Sequence, residues 1–390
     1  MAATKFSNPF RPGAGHPPPY LAGRATEERE FKRLLEQETI LENLVLTGLR
    51  GVGKTVLVES LKPLAQSSGW LWAGTDLSES TSISETNLAL RLLTDIALVT
   101  SSVPVGVTER QGIGFGATGS TDTVSLDFST LRTVFDATPG LTIDKLKAVF
   151  DLVAPAIARI SKRGIVFAYD EAQNLADHAA QNQFPLSLLL DLFQSLQRKN
   201  FPFMLVLAGL PTLFPKLVEA RTYAERMFRV LFLNRLEEQD VKDAILKPIQ
   251  KTNCPVRFSE TAVGTIVRLT GGYPYFIQFV CKEVYDVWVS QSPTGEYSAV
   301  PVAEITNKLD TDFFSGRWAR TTERQRDLLS VIARLPNSDE EFTVQEVVAE
   351  SKAALKRPFS ASHVSQMLVQ LIDAGLIYKG RYGRYLFAVP

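Results

Sequence analysis

Hydrophobic positions along the chain follow two rhythms. Short, nearly unbroken apolar runs stand at residues 44–46, 164–169 (Gly-Ile-Val-Phe-Ala-Tyr), 203–209 (Phe-Met-Leu-Val-Leu-Ala-Gly) and 230–233. Runs of that length without alternation suit parallel strands covered on both faces. Between them, apolar residues recur every three to four positions over residues 27–38, 54–65, 84–99, 143–161 and 186–199. That is the spacing of helices with one buried face. Residues 70–77, Trp-Leu-Trp-Ala-Gly-Thr-Asp-Leu, add one more short strand. Strand and helix therefore alternate up to about residue 235, which predicts an α/β fold, a three-layer αβα domain with a parallel sheet, over residues 20–235.

Residues 100–140 interrupt the alternation with glycine, serine and threonine. Ile113 and Phe115 alternate, as do Val124, Leu126 and Phe128, across a Gly119-Ser120-Thr121-Asp122 turn, which reads as an inserted β-hairpin or, alternatively, a surface loop. Beyond residue 236 the strands stop. Helical spacing at 237–250, 260–270 and 274–289, with a break at Gly271-Gly272-Tyr273-Pro274, predicts a small helical domain over 236–318. Three further helices, at 322–334, 343–354 and 360–374, lead to two short strands around a basic glycine turn at 375–387. Three helices followed by such a hairpin make a winged-helix pattern, placed at 319–390. Residues 1–19 are rich in proline and glycine and should lie extended against the body of the protein.

At 390 residues and 45% hydrophobic content, the chain can bury two or three cores. Lysine plus arginine equals aspartate plus glutamate at 42 each, so any basic surface must be local. Cys254 and Cys281 form neither a metal pattern nor a disulfide framework; both are expected in cores, in a reducing compartment. No apolar run approaches the roughly 20 residues that span a bilayer, and the N-terminus lacks a charged start followed by an apolar stretch. This predicts a cytoplasmic protein without membrane contact.

The candidate chemistry starts at residues 48–55, Gly-Leu-Arg-Gly-Val-Gly-Lys-Thr, directly after an apolar strand. Gly48, Gly51 and Gly53 allow backbone N–H groups to turn inward around phosphates, aided by a helix N-terminus at the same point. Lys54 would neutralise the β- and γ-phosphates of ATP, and the Thr55 hydroxyl would ligate Mg2+. Lys54 is expected to have no structural partner. Arg50, Val52 and Val56 complete the stretch in contact with nucleotide. The strand at 164–169 ends in Asp170-Glu171, where Asp170 would hold the magnesium shell and Glu171 would orient or deprotonate the attacking water.

With Gly23-Arg24 ahead of the helix at 27–38 and the Gly-Gly-Tyr-Pro turn ahead of residue 275, the chain resembles AAA+ ATPases of the origin-recognition type and the related STAND signalling ATPases. The resemblance implies that Tyr20, Gly23 and Arg24 border the adenine and that the helical domain is a lid whose Pro274 approaches the nucleotide. It also implies an arginine finger among Arg221, Arg226 and Arg229, with Arg226 preferred over Arg229, reaching the nucleotide of a neighbouring copy. A nucleotide-dependent homo-oligomer follows from that. The chain departs from the pattern twice. The strand at 203–209 ends in Gly209-Leu210-Pro211-Thr212, so the polar sensor residue expected there is displaced to Thr212 or missing, and Tyr275-Phe276 stand where a lid arginine is usual.

In the winged-helix segment, Ser362 and His363 open the third helix and Lys379, Arg381 and Arg384 lie on the wing, which suits DNA. From residue 320 on there are ten basic and eight acidic residues, a balance that also suits docking to a protein partner. Two readings stay open: an ATPase that binds ATP and ADP and drives DNA binding, assembly or remodelling, and a slow nucleotide switch that signals to a protein.

Overall fold

The apolar runs become the strands of one sheet. In the structure, a computed structural model, the described residues are 7–13, 15–110, 120–252, 256–291, 299–336, 338, 341–380 and 383–388. They divide into two compact units, one of residues 24–48 and 54–233, the other of residues 1–23, 49–53 and 234–390.

In the first unit, β1 (Asn43–Gly48) and β2 (Trp70–Ala73) are followed by β3 (Pro104–Arg110) and β4 (Ser120–Ser125), which among the described residues pair with each other, antiparallel. With β5 (Gly164–Tyr169), β6 (Phe203–Gly209) and β7 (Phe228–Leu233), β1 and β2 build a five-stranded parallel sheet in the order β2-β5-β6-β1-β7. Every residue of β1, β5 and β6 is buried, as strands sandwiched between helices must be. The helices Ala25–Leu35, Lys54–Ser67, Glu85–Thr100, Thr142–Arg159 and Pro185–Arg198 flank the sheet. Phe150, Phe167, Phe193 and Phe203 interlock at centroid separations of 4.9 to 6.3 Å. Each such ring contributes about 1.5–3 kcal/mol on burial.

Two expectations are corrected here. β2 stops at Ala73 instead of running to residue 77, because Gly74 (φ 132°) passes so close over β5 that a Cβ there would stand 1.9 Å from the Ala168 carbonyl oxygen. Pairing resumes only as a bridge between Asp76 and Asp170. The inserted hairpin has a different register: Ser120, Thr121 and Asp122, expected in the turn, lie within β4 opposite Arg110, Glu109 and Thr108. Phe128 does not extend the strand but starts the helix Phe128–Ala137, whose first turn is fixed by Asp127 accepting the Thr130 N–H at 2.8 Å. Residues 111–119, with Ile113, Phe115 and Gly119, lie outside the described residues. The short helices Leu213–Ala220 and Ala224–Met227, between β6 and β7, had no sequence counterpart.

The second unit is helical at first: Glu238–Lys251, Glu260–Thr270 and Pro274–Gln291. Gly271 adopts the left-handed conformation that ends the middle helix. A further helix, unforeseen, runs from Val302–Leu309 through a π-turn at Asp310–Phe314 into Ser315–Trp318. Val241, Ile245, Ile266, Ile277 and Trp288 form the core. The N-terminal segment joins that core. Phe10 is buried with its ring edge-on to Phe258, Asn8 Nδ2 donates to the Lys282 carbonyl (3.0 Å) and to Asp286 Oδ1 (2.8 Å), and the Arg11 N–H donates to Gln278 Oε1 (3.2 Å).

At the C-terminal end, the helices Glu323–Ile332, Val344–Ala354 and Ala361–Asp373 surround a core of their own. Beside them lies an antiparallel sheet in the order β8-β10-β9, made of β8 (Phe342–Thr343), β9 (Ile377–Lys379) and β10 (Arg384–Phe387). β8 is one strand more than the sequence suggested. Capping boxes at Thr322 with Gln325 and at Thr343 with Glu346 open the first two helices.

Candidate functional site

β1 delivers the chain to the glycine-rich loop, and the helix Lys54–Ser67 carries it away. Gly51 (φ 81°) and Gly53 (φ 89°) adopt the conformations for which glycine is needed. Lys54 is buried, and its Nζ donates to the Gly48 carbonyl at 2.9 Å. It therefore does have a structural partner, contrary to expectation, and ties the two ends of the loop together. Residues 49–53 group with the second unit, where the Gly51 carbonyl accepts the Tyr275 N–H at 3.2 Å and Gly53 faces Pro274. The Arg50 guanidinium lies against Gly375, Val52 is buried, and Val56, in the first unit, is half-buried.

The second half of the first unit's site hangs on β5. Tyr169, its last residue, is fully buried and donates its hydroxyl to Asp95 Oδ2 at 2.8 Å, while Arg91 pairs with the same carboxylate. Beyond the strand, the Asp170 N–H donates to the Thr75 carbonyl (3.2 Å) and the Leu77 N–H to the Asp170 carbonyl (2.9 Å). These bonds fix the backbone at Asp170, and two further bonds orient its carboxylate. Thr55 Oγ1 donates to Asp170 Oδ2 at 2.5 Å, and the Glu171 N–H donates to Oδ1 at 2.7 Å. Thus two residues 115 positions apart meet at one point of the first unit.

Asp76 and Gln173 join the site without having stood out in the sequence. Asp76 was expected only as part of a strand; its carboxyl is held above the usual range, first by burial and then by repulsion from Asp170 and Glu59. That repulsion marks a concentration of negative charge beside Thr55. Glu171 is exposed, in the left-handed region at φ 51°, and its carboxylate accepts a hydrogen bond from Gln173 Nε2. The Ala172-Gln173 pair gave no signal in the sequence that set it apart.

Of the three arginines, Arg221 pairs with Asp191 and Arg229 with Glu30. Arg226 is exposed on the short helix Ala224–Met227 with no ion pair among the described residues. At the N-terminal side, Arg24 is buried and pairs with Glu27 (3.4 Å) in the first unit. In the second unit, Tyr20 accepts a hydrogen bond from Lys247 Nζ (2.8 Å), whose ammonium lies 4.3 Å from the tyrosine ring centroid, and Gly23 abuts Leu236 and Asp240.

The C-terminal residues are spread over a surface of the second unit. Ser362 and His363 are exposed at the start of Ala361–Asp373, with the His363 N–H donating to Ser360 Oγ at 3.3 Å. Lys379 and Arg384 are exposed, Arg384 at 4.0 Å from Glu341. Arg381 and Tyr382 lie outside the described residues. Tyr385 stacks on Phe342 and packs on the local core, so this ring is a packing residue. Cys281 is buried, which pushes its thiol upward; Cys254 lies outside the described residues.

A loop that ties its own ends through a lysine, followed by a threonine meeting a strand-end aspartate, agrees with what the comparison of sequences returns: residues 20–207 match the family described as AAA ATPase domain. Residues 311–390 match a second family, described as a domain of unknown function, DUF8462. No curated protein matches the chain. Among solved structures, the chain is similar to the ORC2 protein of Aeropyrum pernix. To its ADPNP-ADP complexes it is 12% identical, covering 97% of this chain and 93% of that one at a TM-score of 0.56. To its ADP form it is 13% identical, covering 96% and 92% at 0.55. The likeness is one of fold. Among the described residues, no helix is long and apolar enough to cross a membrane.

Proposed function

We propose that the protein binds ATP with Mg2+ and hydrolyses it to drive nucleotide-dependent DNA binding, assembly or remodelling. The observation that carries this reading is the meeting of Thr55 Oγ1 with Asp170 Oδ2 at 2.5 Å. A hydroxyl and a carboxylate are the hard oxygen donors that magnesium takes, and Asp76 and Glu59 add negative charge nearby, so the residues fit the ion. Thr55 and Asp170 would hold it, and once bound it would neutralise phosphate charge. Lys54 would exchange its bond to the Gly48 carbonyl for the β- and γ-phosphates. The N–H groups of residues 51–55 would cradle those phosphates, with Arg50, Val52, Val56 and Pro274 bordering the nucleotide and Tyr20, Gly23 and Arg24 on the side of the base. Glu171 would orient the attacking water and accept its proton. Arg226 would reach the nucleotide of a neighbouring copy in a homo-oligomer. Ser362, His363, Lys379, Arg381 and Arg384 would meet DNA through a winged-helix arrangement. The ADP- and ADPNP-bound ORC2 structures of the same fold support the nucleotide part.

A second reading is favoured by two features. β6 ends in Gly209 without a polar side chain, and Tyr275-Phe276 open the helix Pro274–Gln291 where an arginine would sense nucleotide. A site so equipped suits a slow switch that signals to a protein partner. Steady-state ATP hydrolysis with and without duplex DNA, beside subunit count by light scattering, separates the two. Turnover stimulated by DNA in an oligomer supports the first; tight binding with negligible turnover, indifferent to DNA, replaces it with the second.

A further inference from the structure

Gln173 sits two residues after Glu171, on the one-turn helix Ala172–Asn174, and both ends of its side-chain amide are engaged within the first unit. Its Nε2 donates to the Glu171 carboxylate. Its Oε1 accepts the N–H of Leu210, the first residue after β6, at 3.0 Å. Its carbonyl accepts from Lys216 Nζ at 2.8 Å, on the helix Leu213–Ala220. Lys216 is half-buried, and that burial holds its ammonium below the usual range against the pull of Asp177 and Glu219. The amide therefore has one fixed orientation: its oxygen is pinned by a backbone N–H, which turns its nitrogen to Glu171.

The room for this amide comes from Gly209. A Cβ there would stand 2.6 Å from Gln173 Oε1 and 2.9 Å from Leu213 Cδ2. The end of β6 thus lacks a side chain at the place the glutamine amide occupies. Glu171, by contrast, is exposed, and Gln173 is the side chain that restrains its carboxylate. An exposed glutamate left to itself samples several rotamers, and a group that must face a water molecule loses effectiveness in proportion.

We infer that Gln173 is a positioning residue for Glu171: it fixes the carboxylate relative to the end of β6, so that the orientation of the water-activating group follows the loop at residues 209–212. The inference rests on the proposed role of Glu171 in ATP hydrolysis. Gln173 itself has no contact with nucleotide or water in this role; it acts through Glu171.

The test is a double-mutant cycle on the full chain, with kcat and KM for ATP and equilibrium affinity for a fluorescent ATP analogue measured for the parent, Gln173→Ala, Glu171→Gln and the double variant. Gln173→Met, which keeps the side-chain length without the amide, repeats the measurement should the alanine variant fold poorly, and thermal melting confirms folding. The expected result is a fall in kcat of about tenfold for either Gln173 variant, the usual scale for a hydrogen bond to a charged group, with KM and affinity unchanged. In the Glu171→Gln background, removing the amide should then cost nothing further. Parental kcat in both Gln173 variants, a rise in KM alone, or a full additional loss in the Glu171→Gln background would each overturn the inference. A parent without ATP turnover, or a Glu171→Gln variant as fast as the parent, would instead overturn the underlying reading of the site and this inference with it.

Discussion

Arg229 grips Glu30 with two nitrogens, Nε at 3.2 Å and Nη2 at 2.9 Å from Oε2. The strand β7 thereby holds the helix Ala25–Leu35 by a charge that is not free to reach elsewhere. Arg226, three residues earlier, is the exposed cation of this segment. The two should respond differently to removal. Arg229→Ala is expected to lower stability by about 0.2–1 kcal/mol, the scale of a partly exposed pair, and to leave turnover near the parental rate. Arg226→Ala is expected to leave stability unchanged and to slow turnover by on the order of 10³-fold where oligomers form. Mixing Arg226→Ala with Lys54→Ala chains should restore activity, since each supplies the half the other lacks. Activity that stays flat at every mixing ratio would rule out an arrangement in trans.

Lys54→Ala is expected to abolish tight ATP binding, measured by titration with a fluorescent analogue. Because Lys54 Nζ also holds the Gly48 carbonyl, a drop in stability of about 0.5–1.5 kcal/mol should accompany the change. Unaltered nucleotide affinity would take the loop out of the reading altogether.

Glu171→Gln should bind ATP as the parent does and hydrolyse it about 10²- to 10⁴-fold more slowly. The Asp170 carboxylate and its contact with Thr55 are untouched by that change. Single-turnover measurements separate the two effects; an unchanged rate would assign the base to another group.

On the C-terminal surface, replacing Lys379, Arg381 and Arg384 together should weaken duplex binding for every sequence and lower the salt slope by about 0.9 for each phosphate no longer neutralised. Changes at Ser362 or His363 should shift preference among sequences instead. Duplex titrations at two salt concentrations, with ATP and with ADP, measure both. Binding that is undetectable or insensitive to salt in both nucleotide states would leave this surface to a protein partner.

Much of this was legible in the chain, and the limits are physical. β5 and β6 could be read because a fully buried strand shows an unbroken apolar run, and Asp170 because it ends such a run. The sequence showed Thr55 and Asp170 separately, in motifs whose chemistry predicts the meeting seen in the structure. β2 was read too long because the apolar spacing continues past Gly74, and only the approach to Ala168 stops the strand there. Lys54 was read as unpartnered because its bond is to a backbone carbonyl, which no side-chain pattern encodes. Arg226 and Arg229 look alike in sequence; Glu30, almost 200 positions away, tells them apart.

The place of Phe10 has a consequence for how the molecule is made. Asn8 bonds to Lys282, 274 positions further on, and Phe10 enters a core whose other members begin with Ala22 and Leu236. On the ribosome, residues 8–11 emerge long before Leu236 and Lys282 and must wait until these partners exist. The parallel sheet, closed by residue 233, can assemble in the meantime. Synthesis therefore imposes an order, sheet before helical unit, with the segment around Phe10 held in reserve. A nascent chain arrested once residue 233 has left the ribosomal tunnel should resist protease across the sheet and be cut readily near Phe10, whereas the released chain should be protected at both.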